Sequence, residues 1–431
     1  MPRDLALVLV LRLWQAGAGL VTTVLAVHFL SAELQGWYYS FLSVAALYTL
    51  FDLGLSTVLV QVSAHTFVGS RWSDHGGIEG GAAHHFEALV GHAARWYAAG
   101  AVLFAALLVP AGLLFFGAKH ATIPHWAFQW LVLCGLTAAG LLVMPFLSIL
   151  EGTGRIVEVY ALRLVTVVSG SIGCWLLLAN GGMLWATALA PAMAFAVPAV
   201  WLVSRRPRLL TTAMHGSREH FHWQREVWPL QWRLAINWMS GYLLTQIDIP
   251  ILFHSQGAVI AGQFGLSLTI ANTLSLVSQS WLTRRVPAMA RAAAERDWPT
   301  LDKLFSRDFA ISSAVFVAGA AAVVLLYLLL AHTVYVHRVL PLWQLAALLG
   351  FTFSNQLIGA LSTHLRSYRK EPLMPLIATT TLITLPALVW AAHAYSSAGL
   401  VTVLAIVNIL LNLPAATLVW LSCNRAWRRE D

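Results

Sequence analysis

Twelve stretches of this chain are apolar for about twenty residues or more: 5–30, 37–66, 94–117, 125–150, 156–179, 183–204, 230–254, 258–283, 308–331, 340–364, 373–394 and 397–423. A run of that length spans the hydrocarbon core of a bilayer as a helix. In hydrocarbon each peptide group has to find its partner within its own helix or within a closed barrel. The runs are continuous and lack the alternation of barrel strands, so helices remain. The sequence predicts an all-α polytopic membrane protein with twelve transmembrane helices, six in each half.

Hydrophobic residues are 59% of the 431 positions and charged residues 10%, more apolar surface than a water-soluble core can hide. The placement of charge sets the expected orientation. Of the 26 Lys and Arg, 21 fall in or beside segments that share one side if the N-terminus is cytoplasmic. Only Lys119 and Arg338 fall on the other side, while Arg12, Arg163 and Arg233 lie within or at the edge of spans. Both termini are therefore expected in the cytoplasm. The net charge of +8 belongs to loops that face an anionic leaflet, and no soluble domain is present to carry a nucleic-acid site. Trp37, Trp126 and Trp343 near outer ends, and Trp96, Trp228, Trp232 and Trp427 near inner ends, fit interfacial anchors. Cys134, Cys174 and Cys423 have neither metal spacing nor a disulfide framework.

The longest polar connector, near 205–228, separates two halves of equal helix count. The expected division is an N-terminal six-helix lobe over 1–206, a cytoplasmic linker over 207–228, and a C-terminal six-helix lobe over 229–431. Long inner segments at 68–93 and 284–307 follow the second helix of each half. A faint echo joins the halves, since Gln35-Gly36-Trp37-Tyr38 opens helix two much as Ala261-Gly262-Gln263-Phe264 opens helix eight. An even number of helices per half makes the repeats parallel, and lobes so related are expected to leave a cleft where transporters bind substrate.

Three groups of residues resemble a known family: Arg12 and Gln15 with the Glu33–Tyr39 turn, Phe51-Asp52-Leu53-Gly54-Leu55-Ser56, and Ser278-Gln279-Ser280-Trp281 continuing to Arg285, Pro287 and Met289. They are similar to the polysaccharide (O-antigen) flippases of the multidrug/oligosaccharidyl-lipid/polysaccharide exporter superfamily. The resemblance implies translocation of undecaprenyl-phosphate-linked oligosaccharides from the cytoplasmic to the periplasmic leaflet of a bacterial-type inner membrane, by alternating access, in the synthesis of lipopolysaccharide O-antigen or exopolysaccharide. It also implies membrane lipids and the polysaccharide polymerase and export machinery as partners. A cation-coupled drug antiporter of the same superfamily is the alternative, and a non-transporting membrane scaffold a third.

The residues themselves suggest where substrate would bind. Arg12, Gln15, Gly19 and Thr22 share a face of helix one, and Arg233, Asn237, Gly241, Thr245 and Asp248 recur at helical spacing on helix seven. Guanidinium groups match phosphate oxygens as a fork, although Arg12 and Arg233 are also placed to reach the inner headgroups. Asp52, at the middle of helix two, has to be paired, protonated or facing water. The resemblance places it in a central cavity or at a packing junction with Gly54. Asn272 and Asn355, with Gln279, Gln356, Asn408 and Asn412, are amides for sugar hydroxyls or for bonds between helices. Asp248, just before Pro250, is the candidate for coupling to H+ or Na+. Sodium-site relatives add ligands from late helices, where this chain has only Thr379, Thr380, Thr381 and Thr384.

Arg163 is expected to lack a local partner in Glu158, five residues earlier and off its face. His28, His65 and His364 lie toward helix ends, at positions suited to an entrance, while the loop histidines show no zinc pattern. Neither a nucleotide loop, nor an HExxH pair, nor an acidic sugar-nucleotide cluster is present, so no cofactor, metal or enzymatic activity is expected.

Overall fold

A computed structural model describes residues 3–72, 78–80, 83–118, 123–215, 223–228, 231–232, 235, 239, 241–243, 246–368 and 370–427. Seventeen helices run through these residues, most of them long enough to cross a bilayer. The first part of the chain forms α1 (Arg3–Phe29), α2 (Ala32–Ala45), α3 (Thr49–Asp52), α4 (Leu55–Thr66), α5 (Ala83–Gly117), α6 (Trp126–Gly152), α7 (Ile156–Ala179), α8 (Ala186–Arg205), α9 (Pro207–His215) and the single turn α10 (Trp223–Glu226). The second part forms α11 (Asp248–Gln256), α12 (Ala258–Thr283), α13 (Val286–Ala294), α14 (Trp298–Leu329), α15 (Leu342–Arg366), α16 (Met374–Ile406) and α17 (Leu413–Trp427). The chain is an all-α polytopic membrane protein.

Among the described residues ten helices are long and apolar enough to cross a membrane. The last of these, Met374–Trp427, has 54 residues. A single rod of that length would measure about 80 Å, against a hydrocarbon core of about 30 Å. The chain breaks at Ser396, whose φ of 60° and ψ of −152° are not helical. That break lies between the expected spans 373–394 and 397–423. The seventh expected span, 230–254, lies largely outside the described residues.

Helix two is also interrupted. A 3-10 turn, Ala46–Tyr48, follows α2, and Leu53 (φ 48°) and Gly54 (φ 70°) are both left-handed, which ends α3 and lets α4 restart. Gly54 adopts this conformation freely, whereas Leu53 pays about 1–2 kcal/mol for it.

Two inner segments differ from the expectation that they are loops. α5 begins at Ala83 and has 35 residues, and α14 begins at Trp298 and has 32, so both helices extend about ten residues beyond the apolar runs 94–117 and 308–331. Their extensions carry His84, His85, Glu87, Lys303 and Arg307, polar residues that stay helical once they leave the hydrocarbon. The loop before α5 also holds the described chain's two short strands, β1 (Ser70–Trp72) and β2 (Ile78–Gly80), paired antiparallel with Arg71 opposite Glu79.

By contacts the chain divides into two compact units, Met1–Leu30 with Phe41–Tyr242, and Ser31–Ser40 with Leu243–Asp431. The first ten-residue piece of helix two thus groups with the second unit, and the later division falls at Tyr242 rather than in the linker.

In the first unit α1 packs on α7, and α6 packs on α5, α4 and α8. Small residues set the crossings. A methyl carbon at Gly112 would fall 2.2 Å from the indole of Trp130, and one at Gly152 would fall 2.3 Å from the Val60 carbonyl oxygen. Phe41, Phe116 and Trp130, all fully buried, fill the space between α2, α5 and α6.

In the second unit α12 packs on α11, α14 and α15, and α15 on α16 and α17. The two glycines of the echo meet there. A methyl carbon on Gly36 would lie 1.8 Å from the Ala258 carbonyl oxygen, and one on Gly262 would lie 2.8 Å from the Gly36 nitrogen. Backbones this close suit the small-residue contacts of membrane helices. Gln35 Nε2 completes the crossing by donating to the carbonyls of Gly262 (2.9 Å) and Arg338 (3.0 Å).

Candidate functional site

Polar groups inside membrane spans are costly unless satisfied, so the way each one is satisfied shows what it is free to do. Asp52 is buried at the helix break. Its Oδ1 accepts the Ser56 N–H (3.2 Å), its Oδ2 accepts the Ser56 hydroxyl (2.9 Å), and the Tyr97 hydroxyl of α5 donates to Oδ1. The carboxylate thereby serves backbone N–H groups exposed where α4 restarts. Of the two placements the resemblance implies for Asp52, these contacts describe a junction between helices two and three. Tyr97 carried no signal in the sequence, because its partner lies 45 residues away on another helix.

On helix one, Arg12 is exposed and Gln15 half-buried. Arg12 forms no ion pair among the described residues. The lower part of the same stripe is used for packing on α7: Trp175 Nε1 donates to Thr22 Oγ1 at 2.8 Å, and Trp14 Nε1 to Ser171 Oγ at 3.0 Å. Arg233, Asn237 and Thr245 lie outside the described residues.

Arg163 has a partner that its local spacing conceals. Its Nη2 lies 2.7 Å from Glu151 Oε2, across the turn between α6 and α7, and its guanidinium sits 5.1 Å over the Tyr160 ring. Glu158 does not pair with Arg163, as expected, and instead meets Arg155 and Arg206, each at 3.2 Å.

The amides form two bonded sets, with Gln279 Nε2 donating separately to Ser275 Oγ at 2.8 Å and Asn272 apart from both. Asn408 Nδ2 donates to Asn355 Oδ1 (2.8 Å) and to the Phe351 carbonyl (3.2 Å), while Asn412 Nδ2 donates to Asn408 Oδ1 (3.1 Å). Asn408 and Asn412 sit on a π-helical turn, Val407–Asn412, one helical turn apart and on the same face. In the second set Ser278 Oγ donates to Gln356 Oε1 (2.6 Å) and Gln356 Nε2 to Ser312 Oγ (3.0 Å), tying α12, α15 and α14. Asn272 is exposed on α12 and belongs to neither.

His364 is not at an entrance. It is fully buried, accepts Trp420 Nε1 at Nδ1 (3.0 Å), and lies among Phe305, Tyr368 and Trp420. The polar sequence around it, ending in Arg366, hides an aromatic cluster assembled from three helices.

Two buried carboxylates remain, and their surroundings differ. Asp308 on α14 is held by Arg285 Nε at 3.2 Å and Arg284 Nη2 at 3.7 Å, both from the end of α12. Asp248 meets no such cation among the described residues. It is 1% exposed, with Ile249, Leu252 and Phe253 buried beside it, and its Oδ1 has no hydrogen-bond partner among the described residues. Asp248 opens α11, and Pro250 occupies the first turn, where its missing N–H costs nothing. The helix N-terminus offers partial positive charge to the carboxylate. An unpaired carboxylate oxygen sealed in apolar surroundings is stable only if the group carries a proton or holds a cation. The groups that the structure brings together are thus structural ties at Asp52 and among the asparagines, and Asp248 is the one with capacity to spare.

No family model matches the chain, and no curated protein matches its sequence. Solved structures match its fold over nearly the whole length. An inward-facing multidrug resistance MATE family transporter of the MOP superfamily aligns with a TM-score of 0.62 at 16% identity, covering 96% of this chain and 94% of that one. The MATE multidrug transporter DinF-BH gives 0.62 at 14% identity, with 97% and 95% covered. A mutant of the Vibrio cholerae MATE transporter VcmN gives 0.55 at 14%, with 99% of each covered. The chain has the fold of the MATE transporters of the MOP superfamily, the superfamily its sequence motifs resemble.

Proposed function

We propose that the chain is an exporter that carries an amphiphilic substrate across a bacterial-type inner membrane by alternating access, driven by H+ or Na+, with both termini in the cytoplasm. The observation that carries this reading is Asp248, a buried carboxylate with an unpartnered oxygen at a helix start inside a membrane protein. Such a group exchanges a proton or a cation when its surroundings open to water, and so links an ion gradient to a change of conformation. The reading requires no chemistry on the substrate, which agrees with the lack of enzymatic motifs.

For the substrate, the structural neighbours, which are multidrug transporters, favour a cation-coupled antiporter of drugs and other small molecules. The second reading, a flippase for undecaprenyl-phosphate-linked oligosaccharides, is favoured by Arg12, an exposed guanidinium without an ion pair among the described residues, and by the motifs at 33–39, 51–56 and 278–289. In that reading Arg12 and Gln15 meet the phosphate.

Proteoliposomes with an imposed pH or Na+ gradient test both. Wild-type protein is expected to move either a fluorescent cationic amphiphile or a lipid-linked oligosaccharide in a gradient-dependent way, and whichever moves names the substrate class. Asp248→Asn, which keeps the shape and removes the charge, is expected to stop gradient-driven movement while the protein stays folded. Unchanged transport by that variant rejects the coupling role, and failure of wild type to move either class rejects the exporter.

A further inference from the structure

The first unit has a groove of about 930 Å³ that none of these readings uses, lined by His92, Arg95, Trp96 and Ala99 of α5 with Trp223, Gln224 and Trp228 of the linker segment. Its depth in the membrane follows from helix length. α5 has 35 residues and measures about 52 Å, about 20 Å longer than the hydrocarbon core. Counted back from Gly117, about 20 residues fill the core. The boundary then falls at Tyr97, which places Arg95 and Trp96 at headgroup depth, on the side the basic residues assign to the cytoplasm.

The walls of the groove suit that depth. Trp96 and Trp223 stack with ring centroids 5.6 Å apart and planes 18° from parallel, and Trp228 is exposed beside them. Indoles favour the boundary between headgroups and acyl chains. Arg155 and Arg206 of this unit are neutralised by Glu158 and Arg163 by Glu151, whereas Arg12 forms no ion pair among the described residues. Arg95 is exposed, its Nη2 lies 3.3 Å from His92 Nδ1, and it meets no carboxylate among the residues whose side chains are described.

We propose that this groove is a binding site for an anionic phospholipid of the cytoplasmic leaflet, its phosphate on the Arg95 guanidinium and its upper acyl chain against Trp96 and Trp228. The guanidinium supplies a charge-assisted contact to phosphate oxygens, and the indoles cover the adjoining methylenes. The site is separate from Asp248 and stands whether or not the transport reading does.

Native mass spectrometry of the full chain in detergent, titrated with phosphatidylglycerol and with phosphatidylcholine of matched tails, tests it. Wild type is expected to retain one phosphatidylglycerol in preference to phosphatidylcholine. Arg95→Gln is expected to weaken that binding at least about tenfold, the loss of a single charge-assisted contact. Arg95→Lys is expected to keep most of the binding, and Arg307→Gln, an exposed arginine of the other unit, all of it. Equal retention of the two lipids, or full retention by Arg95→Gln, overturns the proposal. Competition by millimolar inorganic phosphate with the same dependence on Arg95 also overturns it, because the ligand is then the free anion. Lost binding in Arg95→Lys with an unchanged melting curve overturns the role of charge.

Discussion

Replacing Gly36 with Ala tests the packing of the second unit most directly. The added methyl carbon would lie 1.8 Å from the Ala258 oxygen, 2.4 Å from its carbonyl carbon and 2.8 Å from its Cα. All three are backbone atoms, so no side-chain rotation relieves the clash, and the two helices have to separate by at least about 1.6 Å to restore an ordinary contact. That movement takes Gln35 Nε2, now 2.9 Å from the Gly262 oxygen, out of hydrogen-bond range. Overpacking costs about 1–3 kcal/mol, and loss of one of the two acceptors of the Gln35 amide about 0.5–1.5 kcal/mol more. For a unit of this size, each kcal/mol lowers the melting temperature by about 2–4 °C, so a drop of about 3–18 °C is expected. Thermal unfolding in detergent, followed by circular dichroism, measures it. Gly17→Ala and Gly135→Ala, where an added methyl meets nothing within 4 Å, are the controls and are expected to melt at or slightly above wild type. A Gly36→Ala variant that melts with wild type refutes the crossing. Rescue by Ala258→Gly refutes the reasoning too, since removing a side chain leaves the opposing carbonyl in place.

Two further outcomes follow from the ties around single carboxylates. Tyr97→Phe removes a donor to Asp52 while keeping the ring, and is expected to destabilise the protein by about 1–3 kcal/mol in thermal melts, with Ser56→Ala costing less because the Ser56 backbone N–H still reaches Asp52. Asp297 caps α14 by accepting the Thr300 N–H at 3.1 Å, and hydrogen bonding from the Thr300 side chain, with this backbone bond second, lowers its pKa below the usual 3.8. A depressed carboxylate pKa adds stability that is present above the unfolded value and lost as pH falls through the folded one. The melting difference between wild type and Asp297→Ala is therefore expected to be constant from neutral pH to about pH 5 and to shrink below about pH 4; a difference that persists or grows in acid contradicts the cap.

The membrane spans were readable because one physical requirement, enough apolar length to cross the bilayer, writes itself along contiguous residues. The reversal at Ser396 fell where hydropathy dipped, and the faint pairing of Gly36 with Gly262 marked two backbones that lie against each other. What could not be read shares a different cause. Tyr97 with Asp52, Glu151 with Arg163, and Arg285 with Asp308 are joined by the way helices are placed, and separations of 45, 12 and 23 residues carry no periodicity. The helical extensions at 83–93 and 298–307 escaped for another reason: their polar residues read as loop to hydropathy, although nothing in them breaks a helix. Asp248 stood out in both views, by its charge in an apolar run and by its unpaired oxygen in the fold.

The break at Asp52 bears on how the chain enters the membrane. A carboxylate at the centre of a span opposes insertion by about 2.5–3.5 kcal/mol, and Tyr97, which donates to this one, is made 45 residues later on the next span. During synthesis helix two therefore reaches the bilayer with part of its polar demand unmet, and settles when α5 arrives beside it. The two helices are in effect a single unit of biogenesis, and a ribosome halted between them would hold a segment that has not yet chosen between the translocation channel and the lipid.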